Sequence, residues 1–245
     1  MVRNYSDTFD AQKIISAIHQ DLQAAVDPIY KVSAMRFFKE QIKLYGVRMP
    51  NVRKIAANCA ADLKSVPLQE LFPLCEQLLQ TGYMEDATIA LALVYKKRIQ
   101  LRREDFDLLE RWVDTYVVNW AICDDLSAHT LGYCVEKYPE LLSKIYTWTT
   151  SKNPWMRRAA AVSLILPARA GRNLDDVFII AKALVHDQED LVQKGCGWML
   201  KEAAKEHPKE VIAFVEQYRS TMPRTMLRYA IELMPKEVKQ RLMMR

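Results

Sequence analysis

The stretch 153-NPWMRRAAAVSLIL-166 aligns with 189-EDLVQKGCGWMLKE-202 at an offset of 36 residues. When the alignment is continued toward the N-terminus in steps of 36 residues, one column of the alignment contains only small residues: Ala87, Cys123, Ala159 and Gly195. Small residues at one phase of such a period indicate a point where stacked helix pairs approach closely, since solenoids of helix pairs have periods of roughly 34–47 residues. A chance similarity between alanine-rich helices is the alternative.

Most other segments also have the periodicity of an amphipathic helix of 10–18 residues, separated by short breaks at proline or glycine. The two residue types together number only 16 of 245, about half the average share, which disfavours turn-rich β folds and disordered chains. The tryptophan–glycine–tyrosine pattern of tetratricopeptide repeats is absent. We therefore predict an all-α, HEAT-like helical-repeat solenoid of twelve to fourteen helices, forming a single domain over residues 1–245.

Composition excludes several classes of protein. The five cysteines are widely spaced and the four histidines are scattered, so no zinc cluster or disulfide framework is predicted and the thiols are expected to be buried and reduced. No apolar run reaches the roughly 18–20 residues that cross a bilayer, and MVRNYSDTFD lacks the apolar stretch of a signal peptide. We expect a cytoplasmic protein without a metal or cofactor, because phosphate-loop and nucleophile-elbow motifs are also absent.

Charge is distributed unevenly along the chain. The net charge is +3 over residues 1–100, −4 over 101–150 and +6 over 151–245, and the sequence pI is about 8.9. This distribution permits binding to nucleic acid without requiring it.

The segment VVNWAICDDLSAHTLG departs from the small-residue pattern. Asp124 directly follows Cys123 and therefore lies in the column next to that of the small residues. Trp120 precedes Asp124 by four positions, so the two side chains share one helix face. An acid beside a close-packed column costs stability when buried, and such departures are expected at functional sites. The alternative is a solvent-exposed aspartate like Asp125.

Two further segments are unusual for helices. WMRRAAA places Arg157 and Arg158 in the first turns of a helix, where guanidinium groups and backbone N–H groups together suit an anion such as phosphate. KGCGWMLKE contains Gly195 and Gly197, which allow a ligand or another backbone to approach the helix and Trp198. Ordinary surface arginines and a tight helix–helix contact are the alternatives.

Four segments together resemble the AlkD-type DNA alkylation-repair glycosylases: YGVRMPNVRK (45–54), NWAICDD (119–125), NPWMRRAA (153–160) and QKGCGWMLKEAAKEHP (193–208). Their order and spacing match over roughly residues 28–234. The resemblance implies a HEAT-like solenoid whose basic concave cleft binds duplex DNA. It also implies excision of cationic purines alkylated at N3 or N7, with the lesion left in or near the duplex.

The resemblance also implies roles for particular residues. Asp124 would be the catalytic carboxylate, Trp120 and Trp198 the aromatic walls around the deoxyribose of the lesion, and Arg158 a phosphate ligand. Further DNA contacts are expected from four side chains: Phe37, Arg48, Lys194 and Lys201. This sequence departs from the family pattern at Asn119, where an aromatic residue is expected, and at Ala121, where a polar one is expected; these departures concern substrate preference.

The chemistry requires few groups. A purine alkylated at N3 or N7 is already cationic and leaves as a neutral base, so the catalyst must mainly stabilise positive charge on the sugar. One aspartate supplies the anion and orients a water molecule, and tryptophan faces favour a cation by roughly 0.5–2 kcal/mol each.

With the resemblance and this chemistry together, we expect a monomeric, monofunctional glycosylase acting on double-stranded chromosomal DNA that contains alkylated bases, with no lyase step, metal or membrane partner. A non-catalytic repeat module that binds DNA or protein through its concave face is the alternative. His129 remains an alternative proton donor.

Overall fold

The computed structural model describes residues 9–244, and over this range the chain is helical without any β-strand. The predicted all-α fold class is confirmed. Residues 9–244 form sixteen α-helices, two of which (α7 and α11) have only five residues. Their bounds are α1 Ala11–Ala24, α2 Pro28–Met35, α3 Met49–Asp62, α4 Leu68–Gln80, α5 Met84–Lys96, α6 Asp105–Tyr116, α7 Trp120–Asp124, α8 Gly132–Lys137, α9 Leu142–Trp148, α10 Pro154–Val162, α11 Ile165–Arg169, α12 Leu174–Leu184, α13 Asp190–Ala203, α14 Pro208–Tyr218, α15 Arg224–Ala230 and α16 Lys236–Met243.

Proline and short polar residues set many of these boundaries. Pro28, Pro154 and Pro208 each occupy the first position of a helix, where the missing N–H has no intrahelical partner to lose. Asp27 caps α2 by accepting hydrogen bonds from the backbone N–H groups of Ile29 at 3.0 Å and Tyr30 at 2.9 Å. At these three positions the structure therefore confirms that helices break at proline, as the sequence pattern predicts.

The chain divides into two compact units. The first consists of the described residues up to Leu108 together with Thr115–Asp125. Within it α5 packs against α3 and α4, while α1 packs against the same two helices and α7 against α5. The core of this unit is made of fully buried aliphatic side chains, among them Leu71, Leu78 and Ile89.

The second unit consists of Leu109–Asp114 and the described residues from Leu126 onward. Its central helix is α13, which packs against α10, α11, α12, α14 and α15. Four side chains of α13 are fully buried in the core: Val192, Cys196, Met199 and Leu200.

The predicted column of small residues is buried at every position. Ala87 is 3% exposed, Cys123 and Ala159 are 0% exposed, and Gly195 is also buried. A Cβ atom added to Gly195 would lie 3.2 Å from Arg158 Cγ and 3.4 Å from Val162 Cγ2. The small residue therefore permits the close approach of α10 and α13, as the repeat predicts.

Gly197 permits an even closer contact, between α13 and α15. A Cβ atom at this position would lie 2.5 Å from Tyr229 Cβ and 2.7 Å from the Met226 carbonyl oxygen. We expect Gly197→Ala to lower the free energy of unfolding by about 1–3 kcal/mol, because overpacking outweighs the better helix propensity of alanine. Urea unfolding measures this free energy. Gly195→Ala is the control, because the side chain nearest to the added methyl group there is that of Arg158, which is flexible enough to move. Equal or higher stability of the Gly197 variant would contradict the tight contact.

The predicted burial of the thiols is confirmed, since the five cysteines are free and buried. Trp112 and Trp148 also lie in the core, with exposures of 0% and 2%. Within residues 9–244 no helix combines the length and apolarity needed to cross a membrane.

Candidate active site

The short helix α7 carries the predicted carboxylate. Asn119, which is 1% exposed, caps this helix by accepting a hydrogen bond from the Ile122 N–H at 3.1 Å. Trp120 and Asp124 follow at the two ends of α7, one turn apart and both half-buried. The residue at which the sequence departs from the family pattern is thus the one that caps α7, and a capping side chain stabilises the start of a helix.

Asp124 also lies at a change of helix geometry. The chain continues from α7 directly into a π-helix over Asp125–Leu131. Segments of π-helix are rare and frequently occur at functional sites. His129, the alternative proton donor, is exposed within this segment.

An aromatic pair forms next to this carboxylate in the first unit. Phe38 stacks on Trp120 with ring centroids 5.4 Å apart and planes inclined by 18°. Phe37, the residue predicted to contact DNA, is 77% exposed. The Phe38 contact was missed by sequence analysis. The adjacent pair of phenylalanines was the available signal, but the sequence does not show which ring faces Trp120.

The YGVRMP segment is held by a buried acid of α5. Glu85 is 1% exposed, and its carboxylate accepts backbone N–H bonds from Tyr45, Gly46 and Val47 at 3.1, 2.8 and 3.0 Å. Gly46 adopts φ = 98°, in the left-handed region that favours glycine. Three charge-assisted hydrogen bonds fix the segment that precedes Arg48.

A second buried acid, Asp86, binds the same segment. Its Oδ2 accepts hydrogen bonds from Thr81 Oγ1 at 2.7 Å and Tyr45 Oη at 3.1 Å, and lies 3.2 Å from His19 Nε2. Burial raises the pKa of Asp86, and these hydrogen bonds offset that effect only in part. Neither acid was identified from sequence, although two adjacent acids in an apolar helix were a visible signal.

Arg48 is exposed on this fixed segment. Its guanidinium pairs with Asp27 at 2.9 Å and lies over the Tyr30 ring, 5.1 Å from the centroid. The predicted DNA contact therefore already has a carboxylate partner, the residue that caps α2. A phosphate would have to share or replace that partner.

Arg158 lies inside the second unit. It is 5% exposed and donates a hydrogen bond from Nη1 to the Leu191 carbonyl oxygen of α13. Its neighbour Arg157 pairs with Asp187 at 2.6 Å and donates to the Ser151 carbonyl oxygen at 2.9 Å. Both arginines of the WMRRAAA segment thus hold α10 to neighbouring backbone and acids.

The remaining predicted side chains belong to α13. Lys194 pairs with Asp190 at 2.7 Å, and Lys201 pairs with Glu232 at 2.9 Å. Trp198 is half-buried and donates a hydrogen bond from Nε1 to Glu202 Oε1 at 3.1 Å. Glu202 is a buried residue that sequence analysis missed, although it lies one helical turn after Trp198.

The structure therefore brings the predicted residues together in part. Trp120, Asp124, Phe37 and Arg48 belong to the first unit, whereas Arg158, Lys194, Trp198 and Lys201 belong to the second. Across the described range, residues 9–244, no group of three or more His, Cys, Asp or Glu side chains is arranged to hold a metal ion.

The helical fold and the carboxylate on α7 define an all-α protein with a candidate active site. A family model described as "DNA alkylation repair enzyme" matches residues 18–234, most of the chain. The chain belongs to this family, and it is a DNA alkylation repair enzyme that acts on DNA. The predicted family assignment is confirmed.

A solved structure is similar in fold to most of this chain. The "Predicted DNA alkylation repair enzyme from Enterococcus faecalis" superposes with a TM-score of 0.76 at 19% sequence identity, covering 86% of this chain and 97% of that one. No curated protein gives a significant match. The solved structure supports the fold alone.

Proposed function

We propose that the protein is a monofunctional DNA glycosylase that hydrolyses the N-glycosidic bond of cationic purines alkylated at N3 or N7 in duplex DNA. The observation that carries the proposal is the arrangement on α7, where Asp124 lies one turn from an aromatic ring that Phe38 supports. An anion beside an aromatic face suits a reaction whose transition state carries positive charge on the sugar.

Asp124 acts in this proposal as the fixed anion near C1′ of the damaged nucleotide. The leaving purine is already positively charged, so the glycosidic bond breaks without protonation of the base. Water then adds to the sugar cation and loses a proton, for which the Asp124 carboxylate is the acceptor. Trp120 supplies an aromatic face to the sugar from the same helix.

The direct test measures release of 7-methylguanine and 3-methyladenine from methylated duplex DNA by the purified protein. We expect both bases to appear at a rate proportional to enzyme concentration, leaving abasic sites and uncleaved strands. Catalytically inert protein that still binds duplex DNA would instead identify a binding module. Strand scission without added base or heat would contradict the monofunctional assignment.

A further inference from the structure

Helix α2 of the first unit carries large apolar side chains on its outward face. Ile29, Val32 and Met35 (together the α2 apolar face) are 83%, 59% and 47% exposed. Side chains at positions i, i+3 and i+6 of an α-helix lie within about a third of its circumference. Ala34, which is buried, lies on nearly the opposite side of the helix. The usual amphipathic arrangement, in which polar residues face outward, is therefore reversed in α2.

This helix is held firmly from its other side by the YGVRMP segment. The Asp27 N–H donates a hydrogen bond to the Gly46 carbonyl oxygen at 2.9 Å, and the Asp27 carboxylate both caps α2 and pairs with Arg48. A Cβ atom added to Gly46 would lie only 2.6 Å from Lys31 Cβ. Because Glu85 in turn fixes the YGVRMP segment, the α2 apolar face is a fixed surface and not a frayed end.

The apolar side chains of this region form a cluster. Within residues 9–244, nine large apolar side chains are exposed, and four of them lie in the range 29–37, where Phe37 follows the α2 apolar face. Single exposed apolar residues are ordinary on protein surfaces, whereas a cluster marks a contact with another molecule.

The charge around the α2 apolar face indicates a polyanionic partner. Residues 28–39 contain three exposed basic residues, Lys31, Arg36 and Lys39, and no acidic residue. Duplex DNA, on which this family acts, offers phosphates to the cations and deoxyribose and base surfaces to the apolar side chains. Proteins that bind in the minor groove combine basic side chains with apolar wedges in this way.

The α2 apolar face also lies close to the helix of the candidate carboxylate, within the same unit. Phe38, whose ring stacks on Trp120, follows the last residue of α2, Met35, by three positions. Three residues of chain span at most about 10 Å. Duplex DNA whose damaged nucleotide lies at Asp124 therefore also reaches the end of the α2 apolar face.

We propose that the α2 apolar face is a DNA-binding surface that packs against the deoxyribose and base edges of the duplex, while Lys31 and Arg36 contact phosphates. The inference rests on the proposed function only in placing duplex DNA beside α7. It does not depend on base release.

The two kinds of contact differ in their dependence on salt. Loss of an apolar contact lowers affinity by a similar factor at every salt concentration, whereas loss of one phosphate contact also reduces the slope of log K against log salt by about 0.9. We expect the triple variant Ile29→Gln/Val32→Gln/Met35→Gln to bind duplex DNA about 10–100-fold more weakly, because three apolar side chains no longer leave water on binding. Its salt slope is expected to equal that of the parent, and Lys31→Gln is expected to have a smaller slope.

The measurement is fluorescence anisotropy of a labelled, undamaged duplex at several salt concentrations. Ile29→Gln alone is expected to weaken binding about 3–10-fold, and it decides the question if the triple variant is less stable to urea than the parent. Ile99→Gln is its matched control, because Ile99 is another isoleucine of the first unit and is 75% exposed. An unchanged affinity in Ile29→Gln and the triple variant, or an equal loss in the control, would overturn the inference.

Other occupants of the α2 apolar face give different results. A membrane contact predicts that the parent binds vesicles of phosphatidylglycerol and phosphatidylcholine, and that the triple variant loses this binding while its DNA affinity is unchanged. A contact with a second copy of the chain predicts a parent dimer and a monomeric triple variant in sedimentation, again with unchanged DNA affinity. Either result would overturn the inference. A parent that binds duplex DNA but releases no methylated purine would contradict the proposed function and leave the role of α2 unaffected.

Discussion

Asp124→Asn is expected to reduce base release by a factor of about 10²–10³ while duplex DNA is still bound. Asparagine has nearly the same shape as aspartate but carries no charge, so the substitution removes the anion and preserves the packing of α7. A neutral amide cannot stabilise the sugar cation, and it is a poor acceptor for the proton of the attacking water. The measurement is single-turnover release of 7-methylguanine, with binding followed separately by anisotropy.

The adjacent aspartate provides the control. Asp125 is also half-buried, but it begins the π-helix instead of ending α7. Asp125→Asn is therefore expected to retain most of the activity while causing a similar change in local charge. If Asp124→Asn keeps more than about a tenth of the parent rate, or if both variants lose activity equally, Asp124 is not the catalytic group.

The features predicted from sequence are those that depend on neighbouring residues or on a repeat along the chain. Helix breaks at proline are of the first kind and the 36-residue column of small side chains is of the second, and the structure confirms both. The position of Trp120 one turn before Asp124 likewise follows from helical periodicity alone. Local patterns of this kind predict the fold class and the candidate carboxylate.

The features that sequence analysis missed depend on contacts between distant segments. Arg48 lies 21 residues from its partner Asp27, and Lys201 lies 31 residues from Glu232. Helical periodicity places Lys201 on a helix face and Arg48 just before a helix, but it does not identify the acid that pairs with either side chain. The Phe38–Trp120 stack was missed for the same reason, since it joins residues 82 positions apart.

These partners change how the basic residues are understood. Arg48, Lys194 and Lys201 each hold a carboxylate, and Arg158 is buried against α13. A phosphate that binds them must compete with a protein anion, so their net contribution to DNA affinity is smaller than that of an unpaired cation. The proposed function therefore depends more on Asp124 and the aromatic rings than on the number of basic side chains.

Cationic lesions are expected to be released about 10²–10⁴ times faster than neutral ones by the same enzyme preparation. If Asp124 and Trp120 stabilise only the sugar, the leaving base must supply its own positive charge, as 7-methylguanine and 3-methyladenine do. Hypoxanthine and 1,N6-ethenoadenine leave readily only when protonated, and a general acid that protonates the leaving base typically accelerates the reaction by about 10²–10⁴.

The measurement compares excision of one cationic and one neutral lesion between pH 5.5 and 8.5, with His129→Gln as the control variant. One outcome would contradict a mechanism without an acid. In that outcome the neutral base is released efficiently, and its release increases as the pH falls through about 6.5, where histidine side chains commonly titrate. If this release is also lost in His129→Gln, the proton donor is His129.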